Sequence, residues 1–344
     1  MTLSLRKYEN KGLSGLVNLG NTCYMNSAIQ CLSNTLQLTD YFLSDKFLED
    51  YDENNSKHIL VKEWKRLLDG IWSSNCTISP NSFHRTIRYM ALNNEFNSNF
   101  LGFAQNDTQE FLMLMIDTMH EALCKEVIIR ISGTVVNETD KLALEAMKVW
   151  KTYFKDNYSV IINLFYGQLM STVEFENTVS SRNYDPCCYF SLSIPNNIEN
   201  LNIYDCFDLY TSSEILDGDN MIKCEKTNEY KVAKKTIKVW NFPKILIIHL
   251  KRFSNNSNKN NKLVSFPINN MDLSKYCVGY DKFSSIYNLY GICNHEGSLN
   301  SGHYYAYCRN SNNKWYIYDD NNVREIENSS LISNNAYCLF YHKK

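Results

Sequence analysis

The sequence of 344 residues predicts an α+β protein in which a helical lobe precedes an antiparallel β lobe. Two patterns carry this reading. From about residue 22 to 165 apolar residues recur at three- and four-residue spacing, and from about 164 onward short runs rich in β-branched and aromatic residues are punctuated by Asn, Gly and Ser. The composition agrees: at 44% hydrophobic and 13% aromatic residues the chain can bury a large core.

The helices are expected, in order, over TCYMNSAIQCLSNTLQL (22–38), HILVKEWKRLLDGIW (58–72), SPNSFHRTIRYMAL (79–92), DTQEFLMLMIDTMHEALCKEV (107–127) and DKLALEAMKVWKTYFKDNY (140–158). Ser79-Pro80 opens the third with a proline whose missing N–H costs nothing in a first turn. Asp107, with Glu110 three residues on, has the pattern of a capping box. The methionine-rich LMLMIDTMH face of that helix reads as core. Strands follow at QLMSTVEFEN (168–177), KKTIKVW (234–240), KILIIHLKRF (244–253), YNLYGICNHE (287–296), GHYYAYCRN (302–310), KWYIYDD (314–320) and AYCLFYHK (336–343). His249, flanked by apolar residues in ILIIHLKR, reads as a core histidine.

The formal net charge is −2 and no basic block appears, so neither a nucleic acid nor a membrane surface is an expected partner. The opening MTLSLRKYENKGL has no apolar stretch of signal-peptide type, and apolar runs such as ILII at 245–248 are too short to span a bilayer. Twelve cysteines are scattered through the chain, two of them adjacent (Cys187 and Cys188). That distribution fits reduced thiols in the cytoplasm or nucleus better than a disulfide framework. The asparagine-rich SNNSNKNNK (254–262) reads as a polar surface loop.

Cys23 stands where a helix begins, in NLGNTCYMNSAIQ. The unpaired N–H groups and the positive dipole end of a helix N-terminus both favour a thiolate. Gly15 and Gly20 let the preceding loop fold tightly, and the amide of Asn18 is near enough in sequence to face a substrate carbonyl. A thiolate beside an amide donor is half of an acyl-transfer site. Taken alone, Cys23 reads as a small buried hydrophobe, and the rest of the chain has to overturn that. The remainder comes from NSGHYYAYCRNSNNKWYIYDDN (300–321): two antiparallel strands joined by a short turn can set the His303 imidazole beside the Asp319 carboxylate and complete a papain-like triad.

Together these segments resemble the ubiquitin-specific proteases, a family of cysteine deubiquitinases. GLVNLGNTCYMNSAIQCLSN is similar to the family's Cys box, AQNDTQEFLMLMID to its Gln-Gln-Asp box, KILIIHLKRF to its Leu-Lys-Arg-Phe strand, and LYGICNHEGSLNSGHYYAYCRN with WYIYDDNNV to its His box. The resemblance implies a papain-like cysteine protease fold with a helical thumb, an antiparallel β palm and a β fingers extension. Residues 1–12 would form an N-terminal extension, 13–163 the thumb and 164–344 the palm and fingers, with the fingers near 165–186 and 214–237. It further implies Cys23 as nucleophile, His303 as base, Asp319 as the carboxylate that orients it and Asn18 as the oxyanion amide. Asp320 and His295 are accessory candidates. Asp107 and Glu110 would hold arginines of the ubiquitin tail by charge-assisted pairs, a role that can coexist with ordinary helix capping.

The expected activity is hydrolysis of the isopeptide or peptide bond after the C-terminal glycine of ubiquitin, through a thioester and without metal or cofactor. Expected partners are ubiquitin and ubiquitinated proteins, met by a monomer. A noncatalytic ubiquitin-binding scaffold, or the same chemistry on a ubiquitin-like modifier, are the alternatives. Three departures from the family pattern stand out. Where many members hold zinc with two Cys-x-x-Cys pairs, this chain reads FENT (175–178) and CEKT (224–227), leaving only Cys224; Cys187, Cys188 and Cys206 lack the paired spacing, so no zinc is expected. Asn106 replaces the second Gln of the Gln-Gln-Asp box, and Thr108 its usual Ala.

Overall fold

The computed structural model describes residues 3–93, 100, 104–224, 227–253, 258–298 and 301–344. Part of the asparagine-rich loop, 254–257, and two residues of CEKT lie outside them. The first half holds helices α1 (Cys23–Ser33), α2 (Leu36–Leu43), α3 (His58–Ser73), α4 (Asn81–Leu92), α5 (Thr108–Leu123), α6 (Glu138–Phe154) and α7 (Val160–Phe165). Two short strands, β1 (Gly15–Leu16) and β2 (Thr77–Ile78), pair in parallel among them.

The helix expected over 22–38 is two helices. α1 stops because side chains take its last carbonyls: Asn34 Nδ2 donates to Gln30 at 2.9 Å and Thr35 Oγ1 to Cys31 at 3.1 Å, after which the chain turns. Pro80 falls just outside α4, its carbonyl accepting from His84 N–H at 2.9 Å, rather than in the first helical position. All eleven residues of α1 are buried, which makes it the central rod of the helical half. A helix buried on every side must find partners for its polar groups, and Gln30 Nε2 accordingly donates to the Ser14 carbonyl at 2.8 Å.

The second half contributes β3 (Gly167–Phe175), β4 (Thr178–Cys187), β5 (Phe190–Ser193), helix α8 (Ile203–Tyr210), β6 (Glu214–Leu216), β7 (Ile222–Cys224), β8 (Glu229–Lys231), β9 (Ala233–Asn241), β10 (Ile245–Lys251), β11 (Met271–Asp272), β12 (Ile286–Ser298), β13 (Ser301–Arg309), β14 (Trp315–Asp319), β15 (Asn322–Ile326) and β16 (Ala336–Lys343). The largest sheet runs β15-β14-β13-β12-β16-β10-β5, with β11 beside β12. Its pairs are antiparallel except β10 with β5.

The middle of this sheet, β12, β16 and β10, is buried on both faces. Along β10, Ile245 and Ile247 join the core shared with the helices, while Leu246, Ile248 and Leu250 join a second core under α8 on the opposite face. Alternation between two dry faces is why the segment reads as a continuous apolar run. β16 does the same, with Cys338 and Phe340 on one side and Leu339 and Tyr341 on the other. A second, four-stranded sheet, β4-β3-β9-β6, is covered by α6, whose Ala143 and Ala146 meet Met170, Tyr184 and Trp240; β7 and β8 form a separate pair. Among the described residues no helix is long and apolar enough to cross a membrane.

Candidate active site

α1 begins at Cys23, with Thr22 as its N-cap. The loop before it is shaped by Asn18. Its Oδ1 accepts from the Gly20 N–H at 3.0 Å and the Thr22 N–H at 3.1 Å, and Gly20 takes the left-handed conformation (φ +102°) that this tight path requires. With Oδ1 committed to those donors, Nδ2 faces the other way and donates to Asp320 Oδ2 at 2.9 Å. The other Asp320 oxygen accepts from Asn26 Nδ2 at 2.8 Å, one turn beyond Cys23 on α1. One carboxylate thus gathers two amides that flank the thiol.

Asp320 can do so because of the turn it occupies. β14 and β15 pair up to Asp319 and Asn322, so Asp320 and Asn321 form the two-residue connection, with Asp320 at φ +49°. The turn lies against β1, where Leu16 N–H donates to the Asp320 carbonyl at 2.8 Å.

His303 stands on β13, opposite Glu296 of β12. Its Nε2 lies 2.6 Å from Asp319 Oδ1, which leaves Nδ1 to meet the thiol. The side chains of His303 and Asp319 are 43% and 44% exposed, so the pair is open to a substrate. The His303 imidazole is pushed up to about 9: its hydrogen bond to Cys23 raises it most, burial opposes, and the bond to Asp319 raises it further. At neutral pH this ring therefore carries a proton. Among the described residues, His303, Asp319 and Asp320 are also the only group of three candidate metal ligands within 4.8 Å of one another, and all three already have protein partners.

Asp107 caps α5, its Oδ1 accepting from Gln109 N–H at 2.6 Å, while its other oxygen takes the hydroxyl of Tyr337 on β16. The capping box expected with Glu110 is not closed: the cap bond goes to Gln109, and Glu110 is exposed one turn on. Partial burial and the Asp107 charge both push the Glu110 carboxyl up.

His295 is placed differently. It is 2% exposed on β12, opposite Tyr304 of β13, and packs on Tyr304, Phe253 and Tyr337, with no partner for Nδ1 among the described residues and burial pushing it down to about 4. Cys187, Cys188 and Cys206 do not gather around Cys224: Cys187 donates to the Tyr189 carbonyl, Cys188 meets the Met113 sulfur, and Cys206, on α8, faces the core beneath that helix.

Cys23, His303 and Asp319 are thus brought together, with Asn18 and Asp320 beside them and Asp107 and Glu110 at the start of α5. Sequence reasoning gave no role to Asn26, Gln105 or Tyr337. Asn26 lies three residues after Cys23, a spacing that puts it on the same face of α1, and this signal was available; Tyr337 reaches Asp107 only through the fold.

A family model described as ubiquitin carboxyl-terminal hydrolase matches residues 14–341. The chain is 36% identical over 344 residues to ubiquitin carboxyl-terminal hydrolase 2 of Bos taurus, which covers 96% of this chain and 55% of that protein. It is 34% identical over 351 residues to the Usp2 hydrolase of Drosophila melanogaster, covering 99% of this chain and 36% of that one. The chain therefore spans about half, or less, of the length of these relatives. A probable ubiquitin carboxyl-terminal hydrolase of Acanthamoeba polyphaga mimivirus is 28% identical, with 96% of this chain and 90% of that protein covered. Among solved structures, the SAGA deubiquitinase module of Ubp8, Sgf11, Sus1 and Sgf73 bound to monoubiquitin superposes with a TM-score of 0.74 at 23% identity, covering 100% of this chain and 71% of that one. The same module bound to ubiquitin aldehyde gives 0.73 at 24% identity, covering 98% and 70%; at such identity the likeness is one of fold.

Proposed function

The chain belongs to the ubiquitin carboxyl-terminal hydrolase family, and from that premise we propose that it is a thiol-dependent deubiquitinase that cleaves after the C-terminal glycine of ubiquitin. The observation that carries the proposal is His303 held between the Cys23 thiol and Asp319.

In this reading the Cys23 thiolate, paired with the His303 imidazolium, attacks the carbonyl of the terminal glycine where it is joined to an amine. The oxyanion meets Asn18. An amide nitrogen has two hydrogens, and with one on Asp320 the second is free to donate into the site. His303 gives its proton to the departing amine, leaving a thioester, and then takes a proton from the water that hydrolyses it. Asp319 keeps the ring in one orientation through both steps. Asp320 acts one step removed, aligning Asn18 and Asn26. Asp107 and Glu110 offer their carboxylates to the arginines of the ubiquitin tail, and His295, on β12, packs against Tyr304, the residue after the base.

The helical half would serve as thumb, the large sheet as palm, and the four-stranded sheet with β7 and β8 as fingers. Twelve free thiols support work in a reducing compartment, the cytoplasm or nucleus. Cys23→Ala tests the proposal: hydrolysis of a ubiquitin C-terminal amide should vanish while binding of ubiquitin persists. Turnover near that of the unmodified chain would refute it.

A further inference from the structure

One side chain outside the reacting set makes two bonds to a single residue beside the base. Gln105 Nε2 donates to the Gly302 carbonyl and Gln105 Oε1 accepts from the Gly302 N–H, both at 2.9 Å. Gln105 belongs to the segment that leads into α5, whereas Gly302 is in β13, directly before His303.

Two features explain why a clamp is needed there. β14 pairs with β13 only from Ala306 to Arg309, so among the described residues Gly302 has a strand neighbour on one side alone, at Gly297 of β12. The Gln105 amide, one donor and one acceptor in a plane, supplies what the peptide of a second neighbouring strand would supply. Position 302 must also be glycine: a Cβ there would lie 2.2 Å from His295 Nε2 and 2.7 Å from the Glu296 carbonyl. Glycine has the loosest backbone of any residue, and here it carries the peptide on which the His303 side chain hangs.

We propose that Gln105 is a positioning residue, whose amide straps the Gly302 backbone and so fixes the height and tilt of the His303 imidazole between Cys23 and Asp319. The inference rests on the reading of His303 as the base. Gln105 also stands two residues before Asp107. The segment that starts the tail-facing helix therefore holds the base as well, and displacement of one disturbs the other.

The test uses the full chain and two readouts. The first, independent of substrate, is the titration of His303 followed by NMR of labelled histidine. In Gln105→Ala its midpoint should fall from the raised value toward the ordinary histidine value of about 6.5, because the ring no longer sits on both partners. A role confined to stability would leave it in place. The second is turnover of a ubiquitin C-terminal amide, where kcat should drop on the order of 10- to 100-fold with KM changed less than about threefold. Gln105→Glu provides a rescue. An ionised glutamate opposes the Gly302 carbonyl, but a protonated one can make both bonds, so turnover relative to the unmodified chain should recover as pH is lowered. If Gln105→Ala does not fold, that recovery decides, and its absence overturns the strap. An unshifted His303 midpoint in folded Gln105→Ala overturns it as well. Failure of the unmodified chain to hydrolyse the amide would instead defeat the functional reading, while the His303 midpoint would still judge the strap.

Discussion

At the scale of single residues, the site is a set of carboxylates, each committed to its own partners. Asp319 takes the imidazole, Asp320 takes two amides, and Asp107 takes a helix terminus and a tyrosine hydroxyl. The pH dependence of turnover follows from the first. His303 keeps its proton to about 9, so kcat/KM should fall on an alkaline limb near that value. Asp319 is one cause of the raised value, so Asp319→Asn should move that limb to lower pH as well as slow turnover; an unmoved limb would assign it to another group. For Asp107 the two roles make different forecasts. Asparagine caps a helix about as well as aspartate, so a capping role alone makes Asp107→Asn nearly silent. If the charge grips an arginine, Asp107→Asn should raise KM severalfold at low ionic strength, and added salt should shrink the difference. Steady-state kinetics at two salt concentrations separates these outcomes.

At the scale of elements, what was legible in the sequence follows what each element is made of. The five expected helical segments and seven expected strands all find counterparts, because their apolar residues face cores and so carry a period. β4 escaped notice: TVSSRNYDPC is mostly exposed, buries only Tyr184 and is held in place by pairing with β3, so it shows no repeating apolar period. α8 is short, and only its capping box, Asn202 with Asp205, marks it locally. The site was legible in Cys23, His303 and Asp319 because chemistry constrains those residue types. Gln105 and Tyr337 were not, since amides and hydroxyls that act across the fold leave no spacing to read.

β1 presses on the Asp320-Asn321 turn, and a Cβ at Gly15 would lie 2.4 Å from the Asn321 carbonyl. Gly15→Ala should therefore cost about 1–3 kcal/mol in denaturant unfolding, and push the turn away from Asn18 and Asn26. Unchanged stability and turnover would mean that the contact relaxes freely. The strands around Cys224 hold one thiol in place of two Cys-x-x-Cys pairs, so a chelator should leave the melting temperature unchanged, and stoichiometric zinc in the purified protein would contradict this.

At the scale of the whole molecule, the site is a seam. Cys23, Asn18 and Asp107 come from the helical half, and His303, Asp319, Asp320 and Tyr337 from the sheet. The halves share one apolar core, in which Met25, Ile29 and Phe111 of the helices meet Tyr304, Ala306 and Phe340 of the strands. Burial of that core sets the distance between thiol and imidazole, so residues far apart in sequence become reactive partners only once the chain is folded. We propose that this seam performs acyl transfer on ubiquitin through Cys23. Its most direct test is reaction of the full chain with ubiquitin bearing a C-terminal electrophile, followed by intact mass and peptide mapping. One ubiquitin should be added per chain, attached at Cys23 and lost in Cys23→Ala. No adduct, or an adduct on any other of the twelve cysteines, would contradict it.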